Sequence, residues 1–321
     1  MLLAGRQYAF CYMKRNTIWQ LYVPAGSGYK AEENSVVVIE NENFSVQQIC
    51  DSGQCFRLEL LEERKDEKES VHRRYGLPAF GKYLEIEQCG KKVSLSCSRE
   101  EFESVWKRYF DLDEDYGKLI ASIDPEDVYL RRAAEFGSGI RILRQDLWEM
   151  IISFIISQQN HIRRIRRCID MLCEKYGEKC RKENGEAYYA FPVPEALASA
   201  EEEDLYACNL GYRSRYVRET AACVCRGDVD LLSVASMNYE DSMNELQRLS
   251  GVGIKVANCI CLFALHNTDA FPVDTHINKV LKEQYPNGFP FERYPGYAGS
   301  LQQYIFYYDL KGDGMSKTKG R

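Results

Sequence analysis

A lysine directly after a glycine turn is the first feature of the sequence that could do chemistry. Residues 249–257 are LSGVGIKVA, and apolar residues recur at helical spacing on either side of them. Gly251 and Gly253 would therefore join two helices in a hairpin over about residues 243–264. Glycine lets a backbone approach a surface closely, and free amides at a helix N-terminus bind anions. The hairpin could grip a DNA backbone, or it could be a plain connection between helices.

Lys255 and Asp274 are the two candidate catalytic residues. Lys255 would lie in the first turn of the second helix, where the helix dipole disfavours a cation. A neutral amine there is a nucleophile, whereas the alternative is a surface lysine that only contacts phosphate. Asp274, in AFPVDTHINKVL, could be an ordinary N-cap. It could also face Lys255 across a cleft and stabilise positive charge on a sugar. His276 could contact a phosphate or be a surface histidine.

The composition is that of an ordinary globular protein, with 321 residues and a net charge of −6. An acidic chain argues against nucleic-acid binding. Residues 161–182, however, carry eight Lys/Arg against three Asp/Glu. This segment could be a local basic face that holds phosphates, or a solvated helix face.

The thirteen cysteines and the apolar runs restrict where the protein works. No run of 18 apolar residues predicts a membrane span, and the N-terminus does not resemble a signal peptide. We therefore expect reduced thiols and an intracellular location, in the cytoplasm or nucleoid of a prokaryote or the nucleus of a eukaryote. Neither C-x-x-C nor an iron–sulfur spacing occurs, so we expect no metal site.

Two hydrophobic periods divide the chain and predict an α+β fold. SVVVIE, CFRLELL, YLEIEQ and KVSLSC are strand-like, with EERKDEKESVHRRYG as a charged loop between them, and they predict a small antiparallel sheet. A helical period then follows and includes the buried helix QDLWEMIISFIISQQ. The predicted organisation is an unassigned extension at 1–33, a β subdomain at 34–120, a helical body at 121–311 and a tail at 312–321.

These motifs resemble the helix-hairpin-helix DNA glycosylases of the HhH-GPD superfamily. A G-x-G hairpin followed by lysine, with P-V-D about twenty residues later, is typical of the branch that removes a base and also nicks the strand. Endonuclease III-like members have a four-cysteine iron–sulfur cluster near the C-terminus, but no cysteine follows Cys261 here. The chain is more similar to the 8-oxoguanine DNA glycosylase family from about residue 40 to 310. Four segments carry this resemblance, namely SGQCFRL, RILRQDLWEMIISFIISQQNHIRRI, LGYRSRYV and YAGSLQQYIFYYDL.

The resemblance implies a TATA-binding-protein-like β subdomain before the helical body, and double-stranded DNA containing 8-oxoguanine as the partner. It implies that Lys255 attacks C1′ of the damaged nucleotide with the assistance of Asp274. The carbonyl of Gly53 would accept from the N7–H group that 8-oxoguanine has and guanine lacks. The flipped base would bond to Gln302 along its Watson–Crick edge and lie between Phe306 and Cys259, although both of these could instead be core residues.

The remaining implied roles concern the DNA around the lesion. Tyr212 would wedge into the duplex, while Arg164 and Arg213 would hold the orphaned cytosine or, alternatively, contact phosphates. His276, supported by Asp309, would contact a phosphate beside the lesion. Two positions depart from the family. Gln159 stands where animal enzymes have an asparagine that also contacts the cytosine, and Ser250 replaces a proline that usually precedes the hairpin.

The sequence therefore predicts a monomeric, bifunctional glycosylase/lyase that excises 8-oxoguanine without a metal or organic cofactor. One alternative is a glycosylase for other oxidised bases, which Gly53 and Gln302 disfavour. Another is a non-catalytic helix-hairpin-helix DNA-binding protein. Lys255 together with Asp274 disfavours that alternative, because binding alone needs no carboxylate facing phosphate.

Overall fold

The computed structural model describes residues 36–182 and 184–312, so the predictions for residues 1–33 and for most of the tail lie outside it. A five-stranded antiparallel sheet in the order β1-β5-β4-β3-β2 comes first, as predicted. The strands of this sheet are β1 (Val36–Glu40), β2 (Glu59–Lys65), β3 (Val71–Ala79), β4 (Lys82–Cys89) and β5 (Lys92–Ser96). A second, two-stranded sheet pairs β6 (Lys179–Arg181) with β7 (Ala187–Tyr189).

The charged segment at residues 62–76 was predicted as a loop, and that prediction is wrong. It forms most of the β2–β3 hairpin, in which charged residues on the two strands face one another. Arg73 Nε lies 2.6 Å from Glu63 Oε2, and Arg74 Nη2 lies 3.1 Å from Glu62 Oε2. Opposite charges on facing strands stabilise a sheet, so a highly charged run can be a strand when its partner is equally charged.

Helices make up most of the rest of the described chain, which confirms the α+β prediction. Their bounds are α1 (Val46–Asp51), α2 (Arg99–Glu101), α3 (Lys107–Tyr109), α4 (Tyr116–Ala121), α5 (Val128–Phe136), α6 (Leu147–Ser157), α7 (Ile162–Tyr176), α8 (Pro194–Ala198), α9 (Glu202–Leu205), α10 (Arg213–Arg226), α11 (Leu231–Val234), α12 (Tyr239–Leu246), α13 (Ile254–Phe263), α14 (Thr275–Gln284) and α15 (Ala298–Lys311). Within the described ranges, none of these helices is long and apolar enough to cross a membrane.

The helical core places the elements of the site side by side. α6 is buried on all sides from Leu147 to Ile156, as its sequence predicts, and it packs against α13. α15 lies beside α5 and α14, and its apolar residues join a separate cluster with theirs. The sheet has its own core, to which Leu143 contributes from the chain leading into α6. The proposed boundary between subdomains at 120/121 and the likeness to the TATA-binding protein stay predictions.

Candidate active site and DNA-binding surface

The helix–hairpin–helix consists of α12, the turn at 247–253, and α13. Gly251 has φ +78°, and a β-carbon on it would lie 2.7 Å from the Tyr216 ring, so the turn requires glycine there for two reasons. Gly253 is the exposed N-cap of α13 and has no side chain to cap it. Because the N-cap is a glycine, it has no side chain that could accept from the backbone N–H groups in the first turn of α13. Backbone N–H groups at a helix N-terminus without such a cap can bind an anion.

Lys255 lies in this first turn, beside a ring and a thiol. Its Nζ is 5.7 Å from the centre of the Phe154 ring on α6. Cys259, one helical turn further along, is only 3% exposed. Burial raises the pKa of the Cys259 thiol, the hydrogen-bonded Lys255 lowers it, and the Asp274 carboxylate raises it again. Lys255 and Asp274 therefore both act electrostatically on the same buried thiol.

Asp274 is the N-cap of α14, which is the simpler of its two predicted roles. Its Oδ1 accepts from the backbone N–H of Ile277 at 2.9 Å. This bond fixes the carboxylate at the start of α14, where it still acts on the Cys259 thiol electrostatically. Asp274 can therefore be both a helix cap and a catalytic residue, because the capping bond positions the carboxylate charge that the proposed reaction uses.

Gln302, Phe306 and Gly53 lie on α15 and on the turn after α1. Gln302 is 3% exposed, and its Nε2 donates to the Pro272 carbonyl at 2.9 Å. Gly53 has φ +75°, and a β-carbon there would lie 3.5 Å from Phe306 Cε1 and 3.4 Å from Ile162 Cδ1. Ile162 was not among the predicted site residues, because an apolar residue at the start of an amphipathic helix is typical of the core.

His276 is linked to Asp309 as the resemblance implies. Its Nδ1 lies 2.7 Å from Asp309 Oδ2. Its ring meets the Phe306 ring edge-on, with 5.6 Å between the two ring centroids. Lys279, which was not predicted, donates to Asp309 Oδ1 at 2.9 Å. Burial alone would raise the pKa of Asp309, but the hydrogen bonds from Lys279 and His276 hold it below its ordinary value. The buried carboxylate therefore stays charged and orients the imidazole.

A second group of predicted residues gathers around the loop before α10. Tyr212 is 51% exposed, and the Arg213 guanidinium lies 4.5 Å from the centre of its ring. Arg164 is exposed, and its Nη2 lies 3.4 Å from the carbonyl oxygen of Asn209. Gln159 is also exposed, with φ +47°. This surface therefore presents one arginine, one aromatic ring and one amide to the solvent.

Arg213 differs from the other three because it is buried, at 4% exposure. Its Nε donates to the Gln158 carbonyl at 3.0 Å and its Nη2 to the Gln159 carbonyl at 3.2 Å, while Nη1 donates to Leu210 at 3.2 Å. These bonds hold the chain between α6 and α7 against α10. The prediction that Arg213 contacts cytosine stays a prediction, and all three nitrogens of its guanidinium already donate to backbone carbonyls.

Known proteins resemble this chain in both halves of the described structure. Residues 36–151 match the model of the 8-oxoguanine DNA glycosylase N-terminal domain, and residues 152–288 match that of the HhH-GPD superfamily base excision DNA repair proteins. An N-glycosylase/DNA lyase of Saccharomyces cerevisiae is 30% identical over 282 residues, or 74% of this chain and 73% of the relative. A probable N-glycosylase/DNA lyase of Methanothermobacter thermautotrophicus is 30% identical over 237 residues, or 65% of this chain and 73% of the relative.

Solved structures share the same fold. The Clostridium acetobutylicum 8-oxoguanine glycosylase/lyase, in complex with double-stranded DNA containing cytosine opposite 8-oxoguanine, superposes with a TM-score of 0.77 at 36% identity. This match covers 88% of the present chain and 98% of the Clostridium chain. A 3-methyladenine DNA glycosylase from Archaeoglobus fulgidus, at 18% identity and a TM-score of 0.64, shares the fold alone.

Proposed function

Because the chain belongs to the N-glycosylase/DNA lyase family of the HhH-GPD superfamily, we propose that it excises 8-oxoguanine from duplex DNA and then nicks the strand. The observation that carries the proposal is the position of Lys255. It lies in the first turn of α13 with its Nζ 5.7 Å from the centre of the Phe154 ring, and both Lys255 and the Asp274 carboxylate act electrostatically on the Cys259 thiol. An amine poised as a nucleophile beside a fixed carboxylate is suited to substitution at a sugar carbon.

In the first step the neutral Lys255 amine attacks C1′ of the damaged nucleotide. The bond between C1′ and the base breaks, and its electron pair leaves with the base, which takes up a proton. Positive charge develops on the sugar during this step, and the Asp274 carboxylate, fixed by its bond to Ile277, stabilises it. Asp274 can also accept the proton that the attacking amine releases.

In the second step the strand is cut by β-elimination. The C1′–O4′ bond of the sugar breaks, its electron pair stays on O4′, which takes up a proton, and a Schiff base forms between C1′ and Nζ of Lys255. This imine makes the C2′ proton acidic, so that a base can remove it. The electron pair forms a C2′–C3′ double bond, and the 3′ phosphate leaves with its oxygen. Water then hydrolyses the Schiff base and regenerates the lysine.

Recognition of the base is assigned to the residues around Gly53 and α15. The Gly53 carbonyl would accept from N7–H of 8-oxoguanine, which guanine lacks. Gln302 would bond to the Watson–Crick edge, with the base between Phe306 and Cys259. An enzyme that acts on a base must take it out of the stack. The proximity of Gly53 to Phe306 supports this assignment, because a β-carbon built on Gly53 would be in van der Waals contact with an aromatic ring that can stack.

Contacts with the rest of the duplex complete the proposal. Gly251 and Gly253 would present hairpin amides to the backbone, and His276, oriented by Asp309, would contact a phosphate. Tyr212 would fill the gap left by the flipped base. We propose further that the protein acts as a monomer inside the cell, without a metal, an organic cofactor or an iron–sulfur cluster. The sequence supports the last point, since no cysteine follows Cys261.

The test is strand scission on three duplexes that carry 8-oxoguanine, thymine glycol or plain guanine. We expect cutting of the first duplex alone, and borohydride should trap the protein on it covalently. Lys255→Gln should abolish trapping while DNA binding survives, whereas Lys282→Gln, an exposed lysine on α14, should be trapped like the parent. Preferred cutting at thymine glycol would assign the protein to other oxidised bases. Binding without cutting or trapping would show a DNA-binding protein without catalysis.

A further inference from the structure

One face of α10 holds the hairpin in place. Tyr216, Glu219 and Thr220 share this face, because residues three and four apart are neighbours on a helix. The Ser250 hydroxyl donates to Glu219 Oε2 at 2.6 Å. The Thr220 hydroxyl donates to the Ser250 carbonyl at 3.0 Å. The ring of Tyr216 packs under Gly251 so closely that no side chain would fit between them.

The hairpin is also held from its other side, by the chain that follows α6. Gln158 Nε2 donates to the Gly251 carbonyl at 2.9 Å, and the backbone carbonyl of Gln158 accepts from Arg213 Nε at 3.0 Å. The turn at Ser250 and Gly251 thus lies between two supports that are themselves joined through Arg213. Of these two supports, the α10 side supplies a charged acceptor to Ser250.

That charged acceptor is Glu219. Its Oε1 accepts from Arg215 Nε at 2.7 Å while its Oε2 accepts from Ser250. The hydrogen bonds from Ser250 and Arg215 lower the pKa of Glu219, so the carboxylate is charged at neutral pH. Hydrogen bonds to ionised acceptors are about twice as strong as neutral ones. Serine does not restrict the backbone as a proline would, and here side-chain bonds restrict it instead.

We propose that Glu219 is a positioning residue for the reaction, which through Ser250 fixes the hairpin and hence the α13 start that carries Lys255. The inference rests on the proposed function. Lys255 is five residues beyond Ser250, and the intervening Gly251 and Gly253 allow many backbone conformations. The turn has a backbone hydrogen bond of its own, from Val252 N–H to the Leu249 carbonyl at 3.1 Å, and its contacts with α10 restrict it further. Even a small displacement of the reacting amine from its productive position lowers the rate of the reaction steeply.

The experiment is a double-mutant cycle on the full chain. Glu219→Ala and Ser250→Ala are made singly and together, with Glu202→Ala as the matched control. Glu202 is likewise half-buried and pairs with an arginine of α10, namely Arg218, at 3.4 Å. We expect each single variant to slow single-turnover excision by roughly threefold to tenfold. The double variant should be no slower than the slower single variant, because both remove the same bond.

A second measurement separates positioning from folding. Amide hydrogen exchange at residues 251–255 should accelerate in Glu219→Ala and not in Glu202→Ala, with the remaining helices protected as in the parent. Ser250→Thr, which keeps the hydroxyl, should restore both the rate and the protection. This rescue still tests the role if Ser250→Ala itself folds poorly.

The possible failures are distinguishable. If the parent does not cut 8-oxoguanine DNA, the proposed function fails, while exchange at residues 251–255 still decides whether Glu219 holds the hairpin. Parent-like excision in Glu219→Ala, accompanied only by a lower melting temperature, would overturn the positioning role. A double variant whose loss equals the product of the single losses would also overturn it, because the two residues would then act independently.

Discussion

Gly53 lies beside Phe306, since a β-carbon built on Gly53 would be in ordinary van der Waals contact with Cε1 of the Phe306 ring, at 3.5 Å. Gly53 has φ +75°, a conformation that other residues rarely adopt, so the backbone of the turn after α1 favours glycine. The ring is supported on another side by His276, whose centroid is 5.6 Å away. The proposed stacking of the flipped base on Phe306 therefore has a direct test.

Phe306→Ala is expected to impair base excision far more than strand nicking. Stacking of a base on an aromatic ring is worth about 1–3 kcal/mol, so excision of 8-oxoguanine should fall by roughly fivefold to a hundredfold. Nicking at a preformed abasic site should change little, because that substrate has no base to stack. Single-turnover assays on the two duplexes measure both rates. An equal loss on both duplexes would show that Phe306 supports the fold and not the base.

Asp274→Asn separates the helix cap from the catalytic charge. Asparagine caps a helix about as well as aspartate, so the bond to the Ile277 amide and the melting temperature should be retained. The charge that stabilises the developing sugar cation is lost, so base release should slow by about a hundredfold, as when one aligned electrostatic group is removed. Lesion binding should persist. Single-turnover excision equal to that of the parent would reduce Asp274 to a cap.

Local sequence was sufficient to predict the hairpin, α13 and the position of Lys255. Two glycines and the apolar spacing on either side determine a short helix connection, whatever surrounds it. The buried α6 was predictable for the same reason, since nearly every position from Leu147 to Ile156 is apolar. These features depend on neighbours along the chain, and the structure retains them.

Features that depend on distant partners were not predictable. The predicted contact of Arg213 with cytosine stays a prediction, but its burial could not be foreseen, because the carbonyls that accept from it belong to residues 158 and 159, more than fifty positions earlier. The role of Ser250 was missed because its acceptor, Glu219, lies on another helix. The loop prediction for residues 62–76 was wrong for the same reason. A highly charged run favours a loop, and only the pairing of the two strands shows that their opposite charges face each other.

Stability should depend on pH through the buried Glu149. Its Oε2 lies 3.5 Å from Arg57 Nη1, and both side chains are buried. Burial raises the pKa of Glu149 to about 7, although Arg57 opposes this effect. Between about 4.5 and 7 the folded protein keeps a proton that the unfolded chain has lost. The stability contributed by this group is therefore complete below pH 4.5 and falls by ~1.4 kcal/mol per pH unit up to pH 7.

Glu149→Gln should remove this dependence. Its free energy of unfolding should match that of the parent near pH 5 and exceed it at pH 8, because glutamine has no proton to lose. Urea unfolding at four pH values measures the difference between the two proteins. Glu174→Gln, an exposed residue on α7, should follow the parent throughout. Parallel curves for Glu149→Gln and the parent would mean that Arg57 keeps Glu149 charged in the folded state.

Selection of the opposite base is expected to depend on Arg164. This arginine is exposed beside the loop that carries Tyr212, whereas the guanidinium of Arg213 is buried among carbonyls. A guanidinium fork can donate to the O2 and N3 acceptors of cytosine, which adenine does not offer as a pair. Excision of 8-oxoguanine should therefore be faster opposite cytosine than opposite adenine. A good bidentate contact discriminates by about 1–3 kcal/mol, and we expect the lower end because Gln159 replaces asparagine.

Arg164→Ala should shrink this preference for cytosine more than it lowers binding to all duplexes. A contact to phosphate would instead weaken every duplex alike, and that is the behaviour expected of Arg163→Ala, an exposed neighbour on the same helix. The measurement is single-turnover excision on four duplexes that differ only in the base opposite the lesion. Equal rates on all four with the parent protein would show that Arg164 serves the DNA backbone. A preference that survives in Arg164→Ala would instead assign the reading of cytosine to Gln159 or to a rearranged Arg213.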